Sequence, residues 1–298
     1  MAEPSEPRVR PPVFAGQFYP ADPAQCRETA QSYLAGAPKP AADGPRWLGG
    51  IVPHAGWICS GAIAGQTIAT LAAAAPHVDV VVVFGAVHTP VRFTRAALDP
   101  HQRWLVPGGG SDLPEELSRQ LAELPDHFAV EERLHAREHA VEVELPLIQL
   151  AWPAATVLPI EVPVTPDALA VGRETVQRIT AAGLTAVYLA SSDLTHYGPN
   201  YGFTPAGIGP AALQWAMDND RRLLSAVANL AAERVVPEVG SRNNACGGGA
   251  IAAMLSACRE LGATRGAVLR HTNSYDVLRD VAPQPPDNAV GYAAVVVG

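Results

Sequence analysis

Lysine is almost missing from this chain. Lys39 is the only one among 298 residues, so nearly all of the positive charge is arginine. With 21 basic against 29 acidic residues the formal net charge is −8, and no basic stripe offers itself to a nucleic acid or an anionic membrane surface. The abundance of Ala and Pro beside that arginine bias points to codon composition rather than function. No apolar run has the length and purity of a membrane-crossing helix, "VDVVVVFGAV" being much too short. The start, "MAEPSEPRVRPP", is polar and proline-rich with no apolar signal core, so a cytoplasmic location is expected. The four cysteines (Cys26, Cys59, Cys246 and Cys258) show no CxxC spacing. In that compartment they read as free thiols rather than bridges.

What is present is ample apolar material, 48% of residues, enough for a large core. Residues 1–10 read as a flexible tail and 11–298 as one domain, with no repeat, linker or break in composition. A helix is expected from about Pro23 to Leu34, and "WLGGIVPHAGWICSG" reads as a strand running into a loop. "VDVVVVFGAVH" is a continuous apolar run of the kind buried on both faces of a sheet. Further strands are expected at "ATVLPIEVPV", "TAVYLASSD", "RGAVLRHTNS" and "AVGYAAVVVG". Between them lie helical stretches at "GAIAGQTIATLAAAA", "PDALAVGRETVQRITAAG", about Pro210 to Leu230, and "GGGAIAAMLSACREL". Strands alternating with helices predict an α/β fold, a central mostly parallel or mixed sheet flanked by helices.

Three expected strands end in chemistry. His54 follows "GGIVP", His88 follows "VVVFGAV", and Asp193 and His196 sit in "SSDLTHYG". One such histidine is usually surface or satisfied core, and an Asp-Leu-Thr-His run can be only a turn. Three at one topological position differ, because loops at the carboxyl ends of neighbouring parallel strands converge in space. Cys246 precedes a triglycine and a helix, whose free N–H groups stabilise a thiolate. Gly247, Gly248 and Gly249 would let backbone approach a bound group. Two imidazoles and a thiolate are a reasonable set for one metal ion. In "HAREHAVEVELP", His135 and His139 are spaced one helical turn apart, with Val141, Leu145 and Ile148 as an apolar stripe. The Glu of the zinc-protease HExxH pattern is missing there. Glu138, Glu142 and Glu144 include carboxylates expected on a solvated face.

Taken in order, "AGQFYPADP", "VPHAGWICSG", "FGAVH", "REHAVEVELP", "SSDLTHYG", "CGGGAI" and the terminal "NSYDV…AVGYAAVVV" resemble the Memo family, which includes the AmmeMemoRadiSam system protein B. The resemblance runs from about Val13 to the C-terminus. It implies a fold similar to class III extradiol ring-cleavage dioxygenases, which are non-haem iron enzymes. It also implies a metal held by His54, His88 and Cys246, with Asp193 and His196 lining the same pocket and His196 as acid–base. His139 is the expected further wall. This chain has Gly85-Ala86-Val87-His88 where the family usually has Gly-Pro-Ser/Asn-His, and Glu138-His139-Ala140 where Glu-His-Ser is usual. Both changes make the pocket more apolar.

The leading expectation is an iron(II) oxidoreductase that uses O2 on a small phenolic or enediol-like molecule, copper or zinc being the alternative ions. A zinc hydrolase and a non-catalytic metal-binding or redox-responsive interaction protein with Cys246 as sensor are the competing readings. The expected partner is a small-molecule substrate, not nucleic acid or membrane. A homo-oligomer and a protein partner stay open.

Overall fold

The computed structural model describes residues 7–37, 46–90, 93–283 and 285–298. Its strands are β1 (Val9–Arg10), β2 (Gly49–Val52), β3 (Val80–Gly85), β4 (Ala96–Leu98), β5 (Arg103–Val106), β6 (Gly109–Asp112), β7 (Phe128–Val130), β8 (Thr156–Glu161), β9 (Ala186–Ser191), β10 (His196–Tyr197), β11 (Gly266–Asn273) and β12 (Ala289–Val297). The helices are α1 (Pro23–Ala35), α2 (Trp57–Ala74), α3 (Glu115–Ala122), α4 (Glu132–His135), α5 (Leu145–Ala151), α6 (Ala168–Ala181), α7 (Pro210–Ala228), α8 (Ala232–Arg242), α9 (Gly248–Glu260) and α10 (Ser274–Leu278).

Among the described residues a nine-stranded sheet runs β10-β12-β2-β9-β3-β8-β4-β7, with β11 paired to β12. Its centre is parallel: β2 beside β9, β9 beside β3 and β3 beside β8, while β12 joins β2 antiparallel. The expected mixed α/β sheet is therefore the one observed. The apolar run of β3 divides between the two faces. Val80, Val82 and Phe84 enter a core with α3, α6, α7, α8 and α9, while Val81 and Val83 enter another with α1, α2 and α5. A strand buried on both sides needs no polar alternation, which is why its sequence shows none.

Three features depart from expectation. Residues 1–6 lie outside the described residues, but Val9 and Arg10 belong to no loose tail: β1 pairs parallel with β5 in a small three-stranded sheet. The Arg10 side chain is buried, 2.6 Å from the Glu142 carboxylate and 4.0 Å from the Trp104 ring centroid. The pull of a buried carboxylate explains why this polar segment is ordered. Helix α2 has the length and apolarity to cross a membrane, with mean hydropathy 1.3 over 18 residues, although 56% of it is buried inside the fold. Its scattered Gly, Ser and Thr hide that run in the sequence. They also serve its packing, since a Cβ on Gly65 would lie 2.9 Å from Tyr33 of α1. Lastly, "HAREHAVEVELPLIQLAW" is not one helix. α4 stops at His135, the chain turns, and a short 3-10 segment (Glu142–Glu144) leads into α5.

Candidate metal centre

Parallel pairing brings the three strand ends together. Val52 of β2 is level with Ser191 of β9, and Phe84 of β3 with Ala190. The chain therefore leaves the sheet at Pro53, Ser192 and Ala86 on one side, and His54, Asp193 and His88 meet there. This is the carboxyl-end position that open α/β sheets use for ligands.

Each of the first two histidines is fixed by a partner on Nδ1. The Ser191 hydroxyl gives its only hydrogen to the Ala140 carbonyl at 2.6 Å, so at 2.8 Å from His54 Nδ1 it must accept one. His54 consequently carries its proton on Nδ1 and leaves Nε2 bare. Its charged form is pushed well below the usual range, first by burial and then by His88, His139 and His196. His88 places Nδ1 2.8 Å from Glu138 Oε1 and donates its backbone N–H to Oε2 at 2.7 Å. Burial alone would lower His88, but contacts with Cys246 and Glu138 outweigh it and hold the pKa up at about 10. Glu138 also accepts from the His139 and Ala140 N–H groups. Partners of this kind set tautomer and aim in metal-binding histidines.

Cys246 closes the group from the far end of the chain. Its Sγ is 3.3 Å from His54 Nε2, and it accepts from the Asp193 N–H at 3.3 Å. The following glycines are needed for packing. A Cβ on Gly247 would lie 2.7 Å from the Ser191 carbonyl, and one on Gly249 would collide with the carbonyls of Pro163 and Val162. They let α9 press against neighbouring backbone, which sets the sulfur in place.

His139 stacks on His88 with centroids 4.5 Å apart and meets His54 edge-on at 5.1 Å. One ligand atom from each of His54, His88 and His139 lies within 4.8 Å of the others. Phe18 packs on the outer face of His139 at 4.6 Å, and burial, then His88, lowers that imidazole to about 4. Asp193 takes the His54 N–H at 2.9 Å, and burial raises its carboxyl to about 7. His196 Nε2 is 3.9 Å from Asp193 Oδ2. Among the described residues that nitrogen has no hydrogen-bond partner, although about a third of the side chain (36%) is exposed. Burial, then His88, lowers His196 to about 4, so it is a neutral base at pH 7. His54, His88, His139, Asp193, His196 and Cys246 therefore lie side by side.

His135 does not belong to it. The turn after α4 sends that ring under the sheet, with Nε2 3.1 Å from the Ala97 carbonyl and Nδ1 3.0 Å from Glu161. The three glutamates are not solvated either; Glu138, Glu142 and Glu144 are all fully buried. Glu142 binds Arg10, the Tyr19 hydroxyl and two N–H groups, anchoring the N-terminal segment behind Glu138. Neither Glu144 oxygen has a partner, and burial, with Asp193 next, pushes its carboxyl well above the usual range.

A polar clamp escaped the sequence altogether. From α7, Asp220 accepts the Thr195 N–H at 2.9 Å. Its neighbour Asn219 donates one amide hydrogen to Thr195 Oγ1 at 3.2 Å and the other to the Arg242 carbonyl at 3.0 Å. Asn244 then donates to the Asn219 carbonyl at 3.0 Å. One helical turn thus ties the Asp193–His196 loop to the segment that carries Cys246. "DND" in an otherwise amphipathic helix looks like solvent-facing polarity, so only its burial reveals the role.

The family described as Memo-like protein matches residues 10–296. The chain belongs to the Memo-like family. A MEMO1 family protein of Methanosarcina barkeri is 31% identical over 97% of this chain and 100% of its own length, and one of Methanosarcina mazei is 32% identical over 97% and 99%. Among solved structures, an uncharacterized Escherichia coli K12 protein aligns with a TM-score of 0.49 at 13% identity, covering 83% of this chain and all of its own. In this Memo-like protein the Ala140 side chain is fully buried, and its carbonyl is the group that orients Ser191.

Proposed function

We propose that this Memo-like protein is a mononuclear metal-dependent oxidoreductase of the non-haem iron kind, using dioxygen on a small phenolic or enediol-like molecule in the cytoplasm. The observation that carries the reading is the grouping of the donors: the Cys246 sulfur lies 3.3 Å from the unprotonated Nε2 of His54, and His88 and His139 each bring a ligand atom within 4.8 Å of one on His54. That set fits one ion, held by His54, His88 and Cys246, with iron(II) first and copper or zinc as alternatives. When bound, the ion supplies a redox-active Lewis acid with coordination positions left for small ligands.

The protein's own groups do the rest. Ser191 and Glu138 hold the two imidazoles by Nδ1 so that Nε2 faces the site, His88 giving up its second ring proton when an ion binds. His196, neutral and with Nε2 unpartnered, takes the proton of a phenolic hydroxyl presented to the pocket. Asp193, with an oxygen 3.9 Å from that nitrogen, faces the same space and is placed to fix the substrate. Phe18 and Phe14, packed on His139, keep water from that side.

The test is metal analysis of protein purified without added metal, then oxygen uptake with a panel of catechols. Roughly one iron per chain and catechol-dependent uptake support the reading; absence of uptake with iron in place overturns it. A second reading has its own observation. If His139 also coordinates, three imidazoles and a thiolate complete a closed tetrahedral set, as in structural zinc sites. His139→Ala with zinc affinity unchanged dismisses that alternative.

A further inference from the structure

Beside Cys246 a pocket of about 260 Å³ opens to solvent, its wall formed by Leu194, Tyr201 and Phe203 opposite His196, with Asn243 at the edge. Three observations characterise it. The wall is aromatic and fixed: Tyr201 meets the His196 ring at 61° with centroids 5.1 Å apart, and Phe203 is backed by Tyr197 and Trp215 at 6.2 and 6.0 Å. Asn243 is the left-handed C-cap that ends α8 (φ 50°), a place asparagine takes readily. Its amide bonds to nothing among the described residues, which leaves a neutral donor and acceptor at the pocket's edge. Finally, no lysine or arginine lines the pocket among the described residues. The ionisable side chains that line it are those of Cys246, His196 and Tyr201.

We infer that this pocket selects an uncharged single-ring phenol, such as an alkyl-substituted catechol, and rejects one bearing a carboxylate. The inference rests on the metal-dependent reading above and adds the substrate's charge and shape. A cavity of about 150 Å³ already holds one benzene ring, so 260 Å³ takes one ring with small substituents. Such a ring can lie edge-to-face against Tyr201 and Phe203 in the geometry aromatic pairs prefer. A ring carboxylate pointing the same way would meet an aromatic wall and find no lysine or arginine among the lining residues to pair with. Tyr201 and Phe203 are thus specificity-determining residues.

The experiment is anaerobic titration calorimetry of the iron(II)-loaded protein with 4-methylcatechol and with 3,4-dihydroxybenzoate. The expected result is at least about tenfold tighter binding of 4-methylcatechol, a difference of about 1.4 kcal/mol. Equal or tighter binding of the acid overturns the inference and leaves the metal reading standing. Failure of both to bind overturns both. Tyr201 is 46% exposed, so changes there leave the core intact. Tyr201→Arg should move the preference at least about tenfold toward the acid, while Tyr201→Phe, which keeps the ring, should change neither affinity by more than about twofold. An unmoved ratio in Tyr201→Arg refutes the assignment of this wall.

Discussion

Ser191 Oγ lies 2.8 Å from His54 Nδ1, and the direction of that hydrogen bond is set by a third atom, the Ala140 carbonyl 2.6 Å from the same hydroxyl. A neighbouring hydroxyl thereby decides which nitrogen of His54 carries the proton and which is left free. Ser191→Ala should keep the fold and lower metal affinity about 10–100-fold, the usual effect of removing such a partner. Competition with a chelator of known affinity measures this, and unchanged affinity would show that packing alone orients the ring.

His196 is expected to act on protons without holding metal. Once turnover is found, His196→Ala should slow it about 10²–10⁴-fold, the range of general acid–base catalysis, with metal content unchanged. Metal lost from the variant would instead make His196 a ligand.

Gly249→Ala tests how the sulfur is positioned. The new Cβ would meet the carbonyls of Pro163 and Val162, and overpacking of this sort costs about 1–3 kcal/mol. A lowered melting temperature should accompany weaker metal uptake, because α9 must shift and Cys246 moves with it. A wild-type melting curve would mean the helix has room to spare.

Glu161 gives a pH signature away from the donors. Burial raises its carboxyl from 4.5 to about 7, His135 opposing. Between those values the unfolded chain has ionised while the folded chain keeps the proton, so this group's stabilising contribution is complete below pH 4.5 and lost as pH rises to 7. His135 is itself raised, against its burial, chiefly by Glu161, so its contribution also falls as pH climbs above 6.5. The stability of the wild type relative to Glu161→Gln should therefore decline from pH 5 to pH 8 in urea titrations. A constant difference would contradict the assignment.

How much of this was legible depended on whether a residue's role was local. β2, β3 and β9 are unbroken apolar runs, and the register that brings His54, His88 and Asp193 together follows from parallel pairing. His135 and His139 were misleading because their spacing fits a helix, whereas Pro146 and the demand for buried carboxylate partners break the segment into turns. Glu138 and Glu142 looked like surface charge. Their partners, His88 and Arg10, are 50 and 132 residues away, and no local pattern shows such pairing. Asn219 was invisible for the same reason, and α8 was hidden by Pro237 inside it. The short strands β4 to β7 are too brief for any alternation to show.

The place of β12 bears on biosynthesis. All nine of its residues are buried, and it lies against β2, the strand that delivers His54. While the chain is being made, β2 therefore has one edge unpaired until residues 289–297 have left the ribosome. Every donor, Cys246 included, has been synthesised by then, yet the sheet beneath His54 is still incomplete. If an ion binds at His54 as proposed, a chain in which β12 has not yet paired with β2 would hold it loosely.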